Sequence, residues 1–271
     1  MSDRLPVSQL EALRVLLQGR RVCVLTGAGV STDSGIPDYR GPTAPPRRRA
    51  PIQHREFLEQ PVTRSRYWAR SMLGWPRFRD VQPNPVHRAL ARWTQTASVI
   101  TQNVDRLHHK AGSTRVLELH GALAEVKCLL CHRRRDRDAL QLELERDNRE
   151  LLGQRFTLFA DGDADVPDDV VNRFRVPACD CGGVLKPDVV FFGDSVPAPR
   201  LELAFAMLDE ADALLVAGSS LTVFSGYRFV LRAREQAKPI AIVNLGPTRA
   251  DGDAALKVDA PLAEVIPALV G

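Results

Sequence analysis

The sequence predicts an α/β fold, a doubly wound parallel sheet interrupted by an inserted small domain. Three observations carry that prediction. Short apolar runs alternate with amphipathic segments of helical length. The runs end at Gly, Ser or Asn, as strands do where a parallel sheet presents its carboxyl ends to a ligand. Two close cysteine pairs, Cys128/Cys131 and Cys179/Cys181, sit in a stretch unlike its surroundings. The length of 271 residues suits one large domain with an insertion, and a core that needs no disulfides.

Residues 5–18 place Leu10, Leu13 and Leu17 on one helical face. Residues 21–25 read as a buried strand that runs into Thr26-Gly-Ala-Gly-Val30. Backbone N–H groups at such a Gly-x-Gly turn can approach a pyrophosphate, which makes Gly27, Ala28 and Gly29 candidates for a nucleotide loop. Thr32 stands where the full G-x-G-x-x-G pattern has its third glycine. A dehydrogenase also needs an acidic residue about 20 positions on, and Pro-Pro-Arg-Arg-Arg occupies that region, so the ordinary dehydrogenase reading fails. Residues 41–52, rich in Pro and Arg, read as a loop. Residues 54–75 read as helical, broken near Pro61 and again at Pro76, and 86–94 as a further helix after the turn at Pro83-Asn-Pro85.

Residues 97–101 form a second strand candidate, followed by Gln102-Asn-Val-Asp105. Asn103 and Asp105 share a face if the backbone stays extended; the same residues also suit a capped helix start. Residues 115–119 form a third strand that ends at His120-Gly121. A charged helix-like segment at 138–151 and an acidic loop at 161–169 lie in the inserted stretch. Beyond it come a strand at 189–192, a helix at 199–210 and a strand at 213–217 ending in Gly218-Ser219-Ser220. A helix at 225–237 and a strand at 239–243 ending in Asn244-Leu245-Gly246 follow. The expected division is 1–40, 84–124 and 184–271 for the large domain, 41–83 for a helical module, and 125–183 for a cysteine ribbon.

Composition narrows the function. At 44% hydrophobic and 26% charged residues, this is the mix of a soluble globular chain rather than a disordered or fibrous one. No apolar run reaches the length of a membrane span, and the first residues lack the apolar core of a secretory signal, so a cytoplasmic protein without membrane contact is expected. The net charge of +4 is mild, and Arg133-Arg-Arg135 lacks interleaved aromatics, so no nucleic-acid partner is expected. Four paired thiolates, Cys128, Cys131, Cys179 and Cys181, fill a tetrahedral zinc and leave no open position. One structural Zn2+ per chain is therefore expected, with Cys23 an inert core residue.

The string Gly27-Ala-Gly-Val-Ser-Thr-Asp-Ser-Gly-Ile-Pro-Asp-Tyr-Arg-Gly41 resembles the cofactor loop of the sirtuins, the NAD-dependent protein deacylases. Thr101-Gln-Asn-Val-Asp105, Leu119-His-Gly121, Lys186-Pro-Asp-Val-Val-Phe-Phe-Gly-Asp194, Gly218-Ser-Ser220 and Asn244-Leu-Gly246 follow in the family's order. The resemblance spans residues 5–267. Pro51-Ile-Gln-His54, Arg66-Tyr-Trp-Ala-Arg70, Gly74-Trp-Pro76, Gln82-Pro-Asn-Pro85 and Asp161-Gly-Asp163 look like its class II branch.

The resemblance implies a Rossmann-like NAD-binding domain, with NAD as co-substrate held between it and the small domain. It makes His120 the base that removes a ribose hydroxyl proton, a task that suits an imidazole. Asn103 then orients the ribose and reactive water, and Asp105 with Ile36 forms the carboxamide pocket. Gln102 touches the ribose. Thr32, Asp38, Tyr39, Arg40, Gly218, Ser219, Ser220, Asn244, Leu245, Gly246 and Leu262 complete the cofactor contacts. The family's second cysteine pair is usually Cys-x-x-Cys, one residue longer than Cys179-x-Cys181.

Phe191–Asp194 and Leu221–Phe224 resemble the segments between which a substrate peptide lies as an added strand, with Val190 and Phe191 lining the acyl-lysine tunnel. Tyr67 and Arg70 share a helical face, and a Tyr-x-x-Arg pair resembles the branch that binds acidic acyl groups. The expected partners are acyl-lysine proteins and the expected state a monomer. A mono-ADP-ribosyltransferase using the same NAD site is the alternative.

Overall fold

The computed structural model describes residues 7–38, 51–159 and 163–271. Along the chain come α1 (Val7–Leu17), β1 (Val22–Thr26), the single 3-10 turns Ala28–Val30 and Thr32–Ser34, α2 (His54–Glu59) and α3 (Pro61–Arg79). Then follow α4 (Pro85–Arg92), β2 (Thr96–Thr101), α5 (Leu107–Lys110), β3 (Val116–Glu118), β4 (Gly121–Cys128), β5 (Arg134–Asp136) and α6 (Arg137–Asp147). The remainder is β6 (Thr157–Leu158), β7 (Ala164–Asp165), α7 (Asp168–Arg173), β8 (Leu185–Val189), α8 (Ala198–Asp209), β9 (Ala213–Ala217), α9 (Phe224–Glu235), β10 (Ile240–Val243), β11 (Leu256–Val258) and α10 (Leu262–Val270).

Two compact units result. The first holds 1–46, 82–119 and 196–271; the second holds 47–81 and 120–195. In the first, six parallel strands run in the order β11-β10-β9-β1-β2-β3. Side chains alternate across the sheet. Val22 and Val24 join Leu215, Ala241 and Val243 beneath α1, α4 and α10, which contribute Leu13, Leu17, Val86, Leu90, Val265 and Ile266. Cys23 and Leu25 face the other way, into Leu214, Val216, Ile242 and the α8 and α9 residues Met207, Leu208, Phe229 and Val230. Burial on both faces explains the unbroken apolar runs in β1, β9 and β10. The chain leaves β1 toward β2 and returns at β9 on the opposite flank, so the strand order reverses between β1 and β9. That reversal is where a doubly wound sheet opens a crevice for a ligand. Cys23 sits in this core at full burial, which pushes its thiol up to about 11 and keeps it an unreactive packing group.

The second unit differs from expectation in three places. A three-stranded antiparallel sheet, β5-β4-β8, begins at Gly121, so the insertion opens earlier than 125. The strand expected at 189–192 lies instead at Leu185–Val189, and it pairs antiparallel with β4 rather than joining the parallel sheet. Pro187 is tolerated because β8 is an edge strand. The apolar run Val190–Phe192 leaves the ladder and packs elsewhere: the Phe191 ring meets Phe57 and Tyr67. Finally, Pro76 does not break α3. A proline removes the N–H that would bond the carbonyl four residues back. Here that carbonyl, of Met72, accepts instead from the Gln141 side-chain amide at 2.8 Å. The helix therefore continues for one more turn without an orphaned acceptor.

Candidate active site

The site in the first unit forms where β1, β2 and β9 end. Gly27 and Gly29 lie against Gly218: a Cβ on Gly27 would come within 2.7 Å of the Gly218 carbonyl oxygen, and one on Gly29 within 2.9 Å of the Gly218 Cα. Gly218 has φ +63, and a Cβ there would meet Val30 N at 2.6 Å and Leu262 Cδ1 at 2.7 Å. The glycines thus serve first to let two strand-end loops touch, and the Gly29 N–H already donates to Gly218 O at 2.9 Å. Leu262, at the start of α10, backs this contact.

The end of β2 is held by a chain of hydrogen bonds. Asn103 Nδ2 donates to Gly27 O at 3.1 Å and to Ser31 Oγ at 3.0 Å. Ser31 Oγ donates to Asp105 Oδ2 at 2.7 Å, and Leu107 N donates to Asp105 Oδ1 at 2.9 Å. Burial raises the Asp105 carboxyl above its ordinary range, and the bonds from Leu107 and Ser31 oppose that rise. Asp105 thus accepts from the first N–H of α5, one residue before the Arg106 cap, and is linked to Asn103 through Ser31. Gln102 Nε2 donates to Ser219 Oγ at 2.8 Å, in space that Gly226 leaves, since a Cβ there would meet Gln102 Oε1 at 2.6 Å. Thr32 Oγ1 donates to Gly29 O at 3.1 Å, and Ile36 N to Ser31 O at 3.3 Å. Asn244 is buried, and its amide donates to the carbonyls of Leu245 and Gly246, shaping its own turn. Ser220 Oγ lies 3.0 Å from Thr222 Oγ1. Tyr39 and Arg40 lie outside the described residues.

Ser31 is the residue that sequence reasoning missed. It links Asn103 to Asp105, and a serine inside a glycine-rich loop gave no sign of that role. Behind it, Thr26 Oγ1 meets His108 Nε2 at 3.0 Å, and the His108 ring lies 4.8 Å from that of His87. Both rings are buried, as packing and loop-supporting groups.

His120 occupies the two-residue link between β3 and β4. Leu119 N donates to Thr101 O at 2.8 Å, and His120 O accepts from Val190 N at 2.9 Å. Backbone bonds thus clamp the chain on each side of the imidazole.

In the second unit, the four cysteine Sγ atoms lie within 4.8 Å of one another. Cys128 and Cys181 approach to 3.5 Å, and Cys131 and Cys179 to 3.7 Å. Tetrahedral zinc with Zn–S bonds near 2.3 Å places sulfurs about 3.8 Å apart, so the donor set fits that ion. The N–H groups of Cys131 and Leu130 point at Cys128 Sγ and lower its thiol. The shortened second pair is accommodated by the glycines after it. Gly182 takes φ +79, and a Cβ on Gly183 would strike Cys128 Sγ at 2.5 Å.

Of the substrate candidates, Phe191, Tyr67 and Phe57 form one aromatic cluster, with Lys186 Nζ 4.4 Å from the Phe191 centroid. Burial pushes the Tyr67 hydroxyl up to about 12, so it stays protonated. Phe192 is 41% exposed and no core residue. Arg70 Nε and Nη2 form a fork onto the Asp163 carboxylate. A free acyl carboxylate would have to displace Asp163 to take that fork.

Residues 27–225 match the family model described as the Sir2 family. The chain is also 50% identical, over 97% of its length and 98% of the relative's, to an NAD-dependent protein deacetylase of Bordetella bronchiseptica. The chain belongs to the Sir2 family. It is 47% identical to the human NAD-dependent protein lipoamidase sirtuin-4, covering 97% of this chain and 86% of that one. Among solved structures, a Sir2 bound to acetylated peptide aligns with TM-score 0.72 at 29% identity, over 95% of both chains. A Sir2–p53 peptide–NAD+ complex aligns equally well, at 31% identity and 95% coverage of both. In this sirtuin the glycine loops and the Gln102–Asp105 turn lie at the strand ends where a doubly wound sheet receives a nucleotide.

Proposed function

We propose that this sirtuin is an NAD-dependent protein-lysine deacylase. The observation that carries the reading is the hydrogen-bonded turn Gln102–Asp105, locked through Ser31 and Gly27 at the point where the strand order reverses. It occurs in a chain half identical to deacetylases over its whole length.

In this reading NAD is a co-substrate. Gly27, Gly29, Gly218 and Ser219 receive its phosphates, Asn244 its adenosine ribose, and Asp105 with Ile36 its carboxamide. The nicotinamide–ribose bond breaks, and the acyl-lysine carbonyl oxygen forms a bond to the same ribose carbon. His120 takes the proton of a ribose hydroxyl, which attacks the acyl carbon. Water completes the transfer, leaving free lysine, nicotinamide and O-acyl-ADP-ribose. Asn103 is fixed by two acceptors and so can hold ribose and water without reorganising. The substrate peptide runs along Leu221–Phe224, where Val223 is extended and both Val223 and Phe224 are exposed. Zinc on the four cysteines pins the second unit and takes part in no step. Four clustered thiols that suit a metal, together with an unpaired, buried Cys23, suit a reducing compartment, the cytoplasm.

The test is nicotinamide release from NAD across acetyl-, succinyl-, methylglutaryl- and lipoyl-lysine peptides. Release that requires one acyl class supports the reading and names the acyl group. Release without any acyl peptide, with label from NAD retained on protein, would replace it by ADP-ribosyl transfer.

A further inference from the structure

Two arginines stand out on the first unit. Arg228 lies with its guanidinium carbon 5.1 Å from the Phe224 ring centroid. Arg249 lies 5.9 Å from the same ring and 4.3 Å from that of Tyr227. Asp253, bonded to Tyr227 of the same cluster, is already engaged: it accepts from Tyr227 Oη at 3.0 Å and pairs with Arg234 at 2.8 Å. Among the described residues neither Arg228 nor Arg249 has a carboxylate partner. Arg228 Nε is also buried with no hydrogen-bond acceptor. A buried guanidinium N–H without an acceptor is costly unless something supplies one.

Phe224, 51% exposed, carries both cations over its first turn of α9. Arginines stacked on aromatic faces are pre-organised: their forks stay free while the stems are immobilised. The complement of such a pair is a planar carboxylate. The cluster adjoins Val223, the extended residue along which the substrate backbone runs in the reading above. We infer that Arg228 and Arg249, framed by Phe224 and Tyr227, select substrate proteins with an acidic side chain flanking the acyl-lysine. This rests on the deacylase reading and adds to it a substrate class.

A nucleotide phosphate is the rival anion. It is disfavoured by direction: the Arg228 guanidinium lies over Phe224 and that of Arg249 over Phe224 and Tyr227, on α9 rather than at the glycine loops that receive the phosphates in the reading above.

The experiment compares acyl-lysine peptides that differ only by Asp, Ala or Lys at each flanking position in turn. Asp at one or two positions should raise kcat/KM about fivefold over Ala, mainly through KM, as an exposed ion pair does. The gain should vanish near about 0.5 M salt. In the Arg228→Glu/Arg249→Glu variant the preference should turn to Lys, with kcat on the Ala peptide and KM for NAD unchanged. Arg249→Gln, at an exposed position, should weaken the Asp preference by itself and guards against misfolding of the double variant. Deacylation indifferent to flanking charge, or an Asp preference that survives both variants, overturns the inference and leaves the deacylase standing. A rise in KM for NAD in the variants overturns it in favour of the nucleotide. Absence of turnover on every acyl peptide removes the deacylase reading and this inference together.

Discussion

His87 Nδ1 shares a 3.0 Å hydrogen bond with Asn84 Oδ1, and the Asn84 amide reaches Val30 O at 2.8 Å behind the cofactor loop. Burial lowers His87 to about 4, with Arg88 adding to the effect, and drives His108 well below its ordinary value, with His87 and His109 adding. Both imidazoles are thus neutral in the folded protein at neutral pH. The unfolded chain binds their protons below about pH 6.5 while the folded chain does not, so their stability contribution is lost as pH falls through that value. For His87 the loss between pH 6.5 and 4 should reach about 3 kcal/mol. Urea midpoints measured over that range should fall more steeply for the native protein than for His87→Gln. Parallel slopes would contradict this. Gly218→Ala is a second test at this scale, since its Cβ has no room beside Val30 and Leu262. NAD affinity by calorimetry should fall at least about tenfold. Gly218 was legible in the sequence because its motif is local. Ser31 and Gly183 were not, because each is fixed by atoms distant in sequence: Asn103 and Asp105 for one, Cys128 for the other.

The elements show the same division. β1, β2, β9 and β10 were readable because a strand buried on both faces is an apolar run. β8 was placed four residues late. Its own Lys-Pro-Asp sequence does not look like a strand, while the apolar residues after it do. β11 and α10 passed unnoticed because Leu256–Val258 is too short for a pattern and Pro267 sits inside the final helix. Pro76 marks the limit of reading a helix end from one residue, since the missing N–H is replaced by a side chain from another helix. Gln141→Leu should therefore cost about 1–3 kcal/mol, the penalty of leaving the buried Met72 carbonyl without a donor. In the Gln141→Leu background, Pro76→Ala restores a backbone donor and should recover part of the loss in denaturant unfolding. If Gln141→Leu costs nothing, the side-chain amide does not replace the missing bond.

At the scale of the whole molecule, each unit has its own core. The parallel sheet buries two layers of its own, while Cys128 and Cys179 belong to the core that contains Trp68, Met72, Leu140 and Val171. Metal analysis should find one zinc per chain. Its removal by a strong chelator under reducing conditions should lower the melting temperature of the second unit and split thermal unfolding into two transitions. A single unchanged transition would mean that packing alone holds the ribbon. The Arg70–Asp163 fork belongs to this unit, and Asp163→Asn should free it. The ratio of kcat/KM for succinyl- over acetyl-lysine peptides should then rise, and an unchanged ratio would show that Arg70 does not face the acyl group.

In the proposed reaction His120 is the base that lets a ribose hydroxyl take the acyl group, at the expense of NAD. The direct measurement is the mass-spectrometric yield of O-acyl-ADP-ribose against nicotinamide and deacylated peptide, for the native protein and His120→Ala. The three products should form in equal amounts, and the variant should lose at least about a hundredfold in rate with NAD still bound. Equal rates in the two proteins, or nicotinamide formed without acyl-ADP-ribose, would contradict it.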